Sequence, residues 1–321
     1  MILVTGATGF IGSHLLEKLR ARGEAVRCLV RPATDARRLP KGVESAAADL
    51  SSGQGLDRAL DGVDAVIHVA GVTRALARAD YFTANARATE TLARALTGRA
   101  VRFVYVSSIA AVGPAEDGRP VDEATPPHPV STYGKSKLQG EEIARALLPD
   151  AVIVRPPVVY GPRDTGVFQI LKAVSRGLVL EIAGGDRWFS AIYAEDLAEG
   201  LCAVARQPRA AGKTYFLAHR EPIAWRSFGA TAAQIMGRNP RTFRVPVFAA
   251  NSIAFLGEMG SLLSRNPAII SREKVAEACC RFWTCSPAQA LADLGFEAPT
   301  PLAAGLAKTL VWYKEAGWLK Y

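Results

Sequence analysis

Three side chains in this sequence have types and a spacing that suit acid–base chemistry. "TYGKSK" at 132–137 puts Tyr133 and Lys137 at i and i+4, on one face of a helix. A phenol alone titrates near about 10, too high for easy proton exchange at neutral pH. An ammonium one turn away favours the phenolate and brings the tyrosine towards a working range. The apolar run that ends in "YVSS" places Ser108 25 residues before Tyr133. A hydroxyl at the C-terminal end of a strand in an open α/β sheet points into the crevice where such sheets bind ligands. There it can hydrogen-bond a carbonyl and hold it towards the tyrosine.

A second group of residues suits a phosphate. "TGATGFIG" at 5–12 spaces Gly6, Gly9 and Gly12 three apart, directly after "MILV". Between a strand and a helix, Gly6 turns the chain, Gly9 lets backbone N–H groups approach a pyrophosphate, and Gly12 lets the helix pack closely. The helix N-terminus adds about half a positive charge. Thr8, Phe10 and Ile11 sit among the glycines and are placed against the dinucleotide with them. The second strand should end at a residue that reads the adenosine ribose. It reads "CLVRPATDARR", so Val30 and Arg31 hold that place and Asp35 comes too late. A basic residue suits a 2′-phosphate, so Arg31, with Arg37 or Arg38 nearby, argues for NADP, with NAD as the alternative. "ADL" at 48–50 falls at the end of the third strand, where Asp49 and Leu50 meet the adenine ring.

The elements that must position these groups are legible as alternation. Continuous apolar runs at 2–6, 25–31, 65–71, 102–108 and 151–157 fit strands buried on both faces of a parallel sheet. Helical patterns at 13–23, 55–62, 83–98 and 132–148 separate them. The expected fold is therefore α/β, a doubly wound parallel sheet of Rossmann type with right-handed crossovers. After about residue 160 the rhythm changes. A helix near 167–177, a strand-like "FSAIYAEDLA" at 189–198 and mostly helical segments from Pro222, without βαβ alternation, read as a smaller C-terminal substrate lobe. The division expected is a dinucleotide-binding domain over 1–160, with a return segment at 189–218, and a lobe made of 161–188 and 219–321.

Composition narrows the class. The chain has 321 residues, 49% of them hydrophobic and 21% charged, as in ordinary soluble proteins. "MILVTG" lacks a basic region ahead of an apolar core, so no signal peptide is expected. The net charge of +9 fits anionic partners, but no basic run or aromatic–basic motif points to nucleic acid. None of Cys28, Cys202, Cys279, Cys280 and Cys285 forms a C-x-x-C pair, and His68 and His128 are not spaced with them as ligands. A reduced, cytoplasmic chain without a structural metal is expected. Residues 246–263, "PVFAANSIAFLGEMGSLL", carry one charge, Glu258. They read as a core helix, as the wall of a hydrophobic substrate site, or as peripheral contact with a bilayer surface.

"TGATGFIG", "HVAG" (68–71), "YVSS" and "YGKSK", in this order, resemble the extended short-chain dehydrogenase/reductase superfamily, the NAD-dependent epimerase/dehydratase group, along nearly the whole chain. "RPATDARRL" and "TPLAAGLAKTLVWYKEAGWL" are similar to its dihydroflavonol-4-reductase-like, 3β-hydroxysteroid dehydrogenase-like and hopanoid-associated members. The resemblance implies a catalytic set of Ser108, Tyr133 and Lys137, with Asn85 of "YFTANARATETL" supporting a proton relay. It implies that Lys137 also grips the nicotinamide ribose and that Val69, Ala70, Gly71 and Ser107 line the cofactor. "VRPPVVYGP" (154–162) is similar to the loop against the nicotinamide, implicating Arg155, Pro156 and Val158. Relatives dimerise through the helices matching 83–98 and 132–148, so a homodimer is implied. Nucleotide-sugar enzymes of the group carry an Arg–Asp pair where this chain has Phe189 and Ser190, although Arg187 is close by. The expected activity is NADP(H)-dependent interconversion of a ketone and a secondary alcohol on a steroid-, triterpenoid- or flavonoid-like molecule, with Tyr133 as general acid/base. The alternatives are a nucleotide-sugar epimerase or dehydratase and a non-catalytic dinucleotide-sensing protein.

Overall fold

The computed structural model describes residues 1–32, 39–182, 185–268 and 270–321. In the first half, β1 (Ile2–Thr5), α1 (Phe10–Ala21), β2 (Val26–Val30), β3 (Glu44–Ala47), α2 (Leu56–Ala59) and β4 (Ala65–His68) come first. They are followed by α3 (Arg78–Phe82), a π-helical turn (Thr83–Arg87), α4 (Ala88–Leu96), β5 (Arg102–Val106), α5 (Thr132–Leu147) and β6 (Val152–Val154). The second half holds β7 (Val158–Tyr160), α6 (Val167–Ser175), β8 (Leu178–Ile182), β9 (Trp188–Phe189), β10 (Ala191–Tyr193), α7 (Ala194–Arg206) and β11 (Thr214–Tyr215). It ends with β12 (Ile223–Ala224), α8 (Trp225–Ile235), β13 (Arg241–Val245), α9 (Val247–Ser264), α10 (Arg272–Cys279), β14 (Phe282–Trp283), α11 (Ala288–Leu294) and α12 (Leu302–Glu315).

Seven strands form one sheet in the order β11-β6-β5-β4-β1-β2-β3, with every neighbouring pair parallel. The strand order reverses beside β1, so the crevice at the C-terminal ends of β1 and β4 is where a ligand belongs. Alternate strand residues feed opposite faces. Val4, Cys28, Ile67 and Val104 pack on Leu15 and Leu19 of α1 and Leu197 and Leu201 of α7. Leu3, Leu29, Val66 and Phe103 pack on Leu56 of α2 and Leu92 and Leu96 of α4. Burial on both sides explains why these strands read as unbroken apolar runs.

A separate core joins Leu171 of α6, Phe228 of α8 and Leu306, Leu310 and Tyr313 of α12. Two features of the second half differ from the sequence reading. The stretch 189–198 is strand only through Tyr193; from Ala194 it is the start of α7, with Glu195 and Asp196 in its first turn, where acidic groups favour the positive end of a helix. The chain beyond Pro222 also keeps two parallel pairings, β14 on β9 and β13 on β8, where Phe243 lies opposite Leu180. The β13 sequence, "RTFRV", is mostly exposed and lacks the apolar run of a central strand.

Candidate active site

The glycine loop is as tight as a phosphate turn requires. Gly6 has φ +69°, and a Cβ there would lie 2.7 Å from the Ala70 nitrogen. A Cβ on Gly12 would sit 2.1 Å from the Gly6 carbonyl oxygen, so α1 can start where it does only with glycine at that position. Gly12→Ala should therefore cost more than the about 1–3 kcal/mol usual for overpacking and should abolish dinucleotide binding. Thermal unfolding and a fluorescence titration with dinucleotide check this; native affinity would refute it.

Behind the loop runs a buried polar chain. Thr5 Oγ1 accepts from the Ala70 N–H at 3.1 Å and lies 2.7 Å from His68 Nδ1. His68 Nε2 is 3.1 Å from Thr89 Oγ1, whose hydroxyl donates to the Asn85 carbonyl at 2.7 Å. Every member is satisfied when the imidazole is neutral and carries its proton on Nε2. Burial, helped by the nearby Lys137 charge, lowers the His68 pKa to about 3. Because the folded value is below the ordinary 6.5, this group leaves stability intact above about pH 6.5. Below that, the unfolded chain binds the proton and stability falls by up to about 1.4 kcal/mol per pH unit as pH drops towards about 3. Urea unfolding of wild type and His68→Gln at pH 7 and pH 5 checks this. Equal slopes would assign the loss to other groups.

Asn85 is fully buried in the π-helical turn, a feature often found at functional sites. Its amide accepts from the Val72 N–H (2.8 Å) and donates to the Val72 carbonyl (3.0 Å) and to Ser136 Oγ (2.9 Å). Ser136 in turn donates to the Tyr133 carbonyl at 2.7 Å. Asn85 thus ties the loop after β4 to the helix that carries Tyr133, and none of its hydrogen bonds reaches Ser108 or the phenol.

Helix α5 begins with Ser131 as its cap, the hydroxyl accepting from the Gly134 N–H at 3.1 Å. Glu273 of α10 adds a second cap, accepting from the Thr132 N–H at 3.0 Å and the Thr132 hydroxyl at 2.6 Å. A Cβ on Gly134 would lie 2.2 Å from the Ala110 carbonyl, so glycine lets α5 press against the turn after Ser108. That approach brings the Ser108 hydroxyl near the Tyr133 phenol, while Ser108 Oγ accepts from the Ala110 N–H. Tyr81 packs on the Tyr133 ring, and Lys274 Nζ lies 5.6 Å from its centre.

The electrostatics differ from the sequence expectation. Burial pushes the Tyr133 phenol up to about 12, against the opposing influence of Ser108, and Glu277 adds to the rise. Burial also draws the Lys137 ammonium down to about 7, against the pull of Glu141. Lys137 Nζ donates to the Val106 carbonyl at 2.7 Å and stands 4.2 Å above the Tyr105 ring. The lysine shares the tyrosine's helical face, but its charge is spent on β5, and desolvation governs the phenol.

A cleft of about 1250 Å³ runs from the glycine loop past Tyr133 into the second core. It is lined by Gly6, Thr8, Gly9, Phe10, Ile11 and Gly12, then by Arg31, Asp49 and Leu50, then by Val69, Ala70, Gly71, Ser107, Ser108, Tyr133 and Pro156. Hydrogen bonds from Ser51 and Ser52 hold the Asp49 carboxyl below its usual range, with Arg31 adding to this. Asp35, Arg37 and Arg38 lie outside the described residues. Asn85, Lys137, Arg155 and Val158 do not line the cleft. Val158 points outward, and its neighbours Pro157 and Val159 take the wall, because one step along a strand reverses the side a residue faces. Arg155 is buried in a bidentate pair with Glu141 (2.9 and 2.6 Å), and Glu141 also accepts from Ser107 Oγ at 2.6 Å.

Sequence reasoning missed the far end of the cleft. Ile170, Val174, Leu178, Leu180, Phe228 and Val275 make it apolar. Asp164 and Lys274 are charged groups there; burial raises the Asp164 carboxyl to about 6, against hydrogen bonds from the Gly166 and Val167 N–H groups. "GPRDTG" carried Asp164 in plain sight, but only the fold turns it inward. Arg187 is held by the carbonyls of Ala278, Ile182 and Gly185.

The family model for the NAD dependent epimerase/dehydratase family matches residues 2–218. The chain belongs to that family. It is 32% identical to a ceramide reductase of Caulobacter vibrioides (strain NA1000 / CB15N), over 99% of this chain and 96% of the relative. It is 34% identical to 4-hydroxy-2-methyl-3-oxo-4-farnesyl-3,4-dihydroquinoline-1-oxide ketoreductase of Stigmatella aurantiaca, over 79% of each chain. Among solved structures, MoeE5 in complex with UDP-glucose and NAD superposes with a TM-score of 0.78 at 26% identity, covering 98% of this chain and 99% of that one. This family member is an NAD(P)-dependent oxidoreductase, which sets aside the reading as a non-catalytic sensor. No helix among its described residues is long and apolar enough to cross a membrane.

Proposed function

We propose that the enzyme interconverts a ketone and a secondary alcohol on an apolar substrate, with NADP(H) as cofactor and Tyr133 as general acid/base. The observation that carries this reading is that one cleft is lined by Ser108 and Tyr133 and by the apolar wall of Ile170, Val174, Leu178, Leu180, Phe228 and Val275. The division of labour follows the chain: the parallel sheet holds the dinucleotide, and the elements after Tyr160, without the return segment, hold the substrate.

The glycine turn, Arg31, Asp49 and the Val69–Gly71 segment fit a dinucleotide, which supplies or removes hydride when bound. The protein's own part is proton handling and placement. In the reducing direction the substrate oxygen sits between the two hydroxyls. Tyr133 gives its proton to the developing alkoxide, and Ser108 donates a hydrogen bond to the same oxygen. A phenol held near 12 is fully protonated at neutral pH, which suits the acid role. Lys137, Asn85 and Ser136 are positioning residues behind it.

Arg31 lies on the adenosine side of the cleft and is exposed. A guanidinium there favours a 2′-phosphate through charge-assisted hydrogen bonds. Arg31→Glu should weaken NADP binding by about tenfold or more relative to NAD, as read by separate titrations. An unchanged ratio would remove Arg31 from the specificity argument.

The alternative of a nucleotide-sugar epimerase draws on the UDP-glucose bound by MoeE5 and on Arg74 at the cleft wall. Against it, Arg187 is already engaged by three backbone carbonyls. Absorbance at the nicotinamide band, followed with steroid and long-chain ketones and with UDP- and GDP-sugars, decides between the two. Oxidation of NADPH by the ketones is expected. Conversion of a sugar nucleotide with no net change in cofactor would overturn the proposal.

A further inference from the structure

We infer that α9 and the adjoining rim of the cleft dock on an anionic bilayer surface, and that the substrate enters from that surface; the second half of this rests on the apolar-substrate reading above. Helix α9 is eighteen residues long and Ala254 is buried on its inner side. On the arc facing away from the body are Phe248, 76% exposed, Leu256, 69% exposed, and Ile253 and Met259, each about half exposed. A soluble protein seldom leaves so dense an apolar surface without a use for it.

Two hydroxyls and the one charge of the helix have partners that do not depend on water. Ser252 Oγ donates to the Phe248 carbonyl at 3.0 Å and Ser261 Oγ to the Glu258 carbonyl at 2.7 Å, so both hydroxyls are satisfied within the helix. The helix's one charge, Glu258, is neutralised by Arg272, which gives it a backbone and a guanidinium hydrogen bond, each 2.8 Å. At the ends stand exposed arginines, Arg241 before α9 and Arg265 after it, while Arg244 pairs with Glu181 at 3.7 Å. An apolar face framed by cationic side chains fits the acyl–headgroup boundary of a membrane with negative lipids.

The apolar surface continues into the cleft. Gly257 packs against the Ile270 carbonyl, and the Arg272 guanidinium covers Phe255, which fixes α9 beside the 270–272 segment. Ile270, Leu178 and Leu180 are exposed and also line the cleft. On the β8–β13 ladder, Leu178 lies opposite Arg241 and Leu180 opposite the half-exposed Phe243, so the same face carries apolar groups and a terminal cation. A two-fold contact between copies of this chain would set like-charged rims against each other. A bilayer surface with anionic headgroups meets both the apolar and the cationic parts.

The test is flotation of the full chain with vesicles of phosphatidylcholine and phosphatidylglycerol in equal parts, with phosphatidylcholine vesicles as the neutral control, at low and high salt. Wild type should float with the anionic vesicles. Phe248→Ser combined with Leu256→Ser should lower vesicle binding by roughly tenfold or more while leaving dinucleotide affinity unchanged. Arg241→Gln combined with Arg265→Gln should lower it by several-fold on anionic vesicles only. Reduction of a long-chain ketone embedded in vesicles should fall in the F248S/L256S variant relative to reduction of a water-soluble ketone. Wild type that does not float, or a variant that floats equally, would overturn docking. So would a wild-type dimer in sedimentation that F248S/L256S splits, without vesicle binding. An unchanged ratio of embedded to soluble turnover would overturn entry from the surface. Flotation without activity on any ketone would leave docking standing and remove the proposed reaction instead.

Discussion

Tyr133→Phe should reduce turnover by about 10²–10⁴-fold and leave dinucleotide affinity close to wild type. The substitution removes one oxygen and keeps the ring, so the packing against Tyr81 and Lys274 survives. Ser108 keeps its bond from the Ala110 N–H. The Ser131 and Glu273 caps of α5 are untouched, so the helix stays in place. What disappears is the proton that must reach the substrate oxygen. Steady-state rates at the nicotinamide band, beside calorimetric titration with dinucleotide, read the two quantities separately. A variant with full turnover would transfer the acid role to another group, and Asp164, held near 6 in the same cleft, would be the first to examine.

The second large effect concerns Arg155, which was expected beside the nicotinamide and lies instead behind the wall. Its guanidinium and the Glu141 carboxylate are both almost fully buried and meet in a two-pronged pair. Removing one member strands the other charge away from water. Arg155→Leu should therefore cost about 3–5 kcal/mol in urea unfolding, and Glu141→Leu a similar amount. The double substitution should recover much of that loss, since no orphaned charge remains. Two singles that each cost little would mean that solvent reaches the pair. Glu141→Leu also releases Ser107, so cofactor affinity should fall more in that variant than in Arg155→Leu.

Much of this molecule is legible in its sequence for a physical reason. Strands buried on both faces leave unbroken apolar runs, and a turn that has no room for a Cβ leaves a glycine. The tight turn at Gly6 and Gly12 is therefore legible from the sequence. The misreadings also have causes. Whether Val158 or Val159 faces the cleft depends on one residue of register, which a three-residue strand does not reveal. Arg155 sits in a motif that predicts a cofactor loop, but its acid partner lies fourteen residues earlier, in α5. A buried arginine needs a buried acid, and that rule, applied to Glu141, was the available signal. The Tyr133–Lys137 spacing was right about the helix face and wrong about the charge, because sequence does not show how much water is excluded. The apolar far wall is assembled from α6, β8, α8 and α10, and no local pattern announces elements that meet only in three dimensions.

The bond from Glu273 to Thr132 has a mechanical meaning. The acid belongs to the late part of the chain, and the hydroxyl and amide it grips begin the helix whose next residue is Tyr133. Loss of the Glu273 carboxylate would leave that first turn with only the Ser131 cap, so the placement of the tyrosine depends on a residue 140 positions further along the chain.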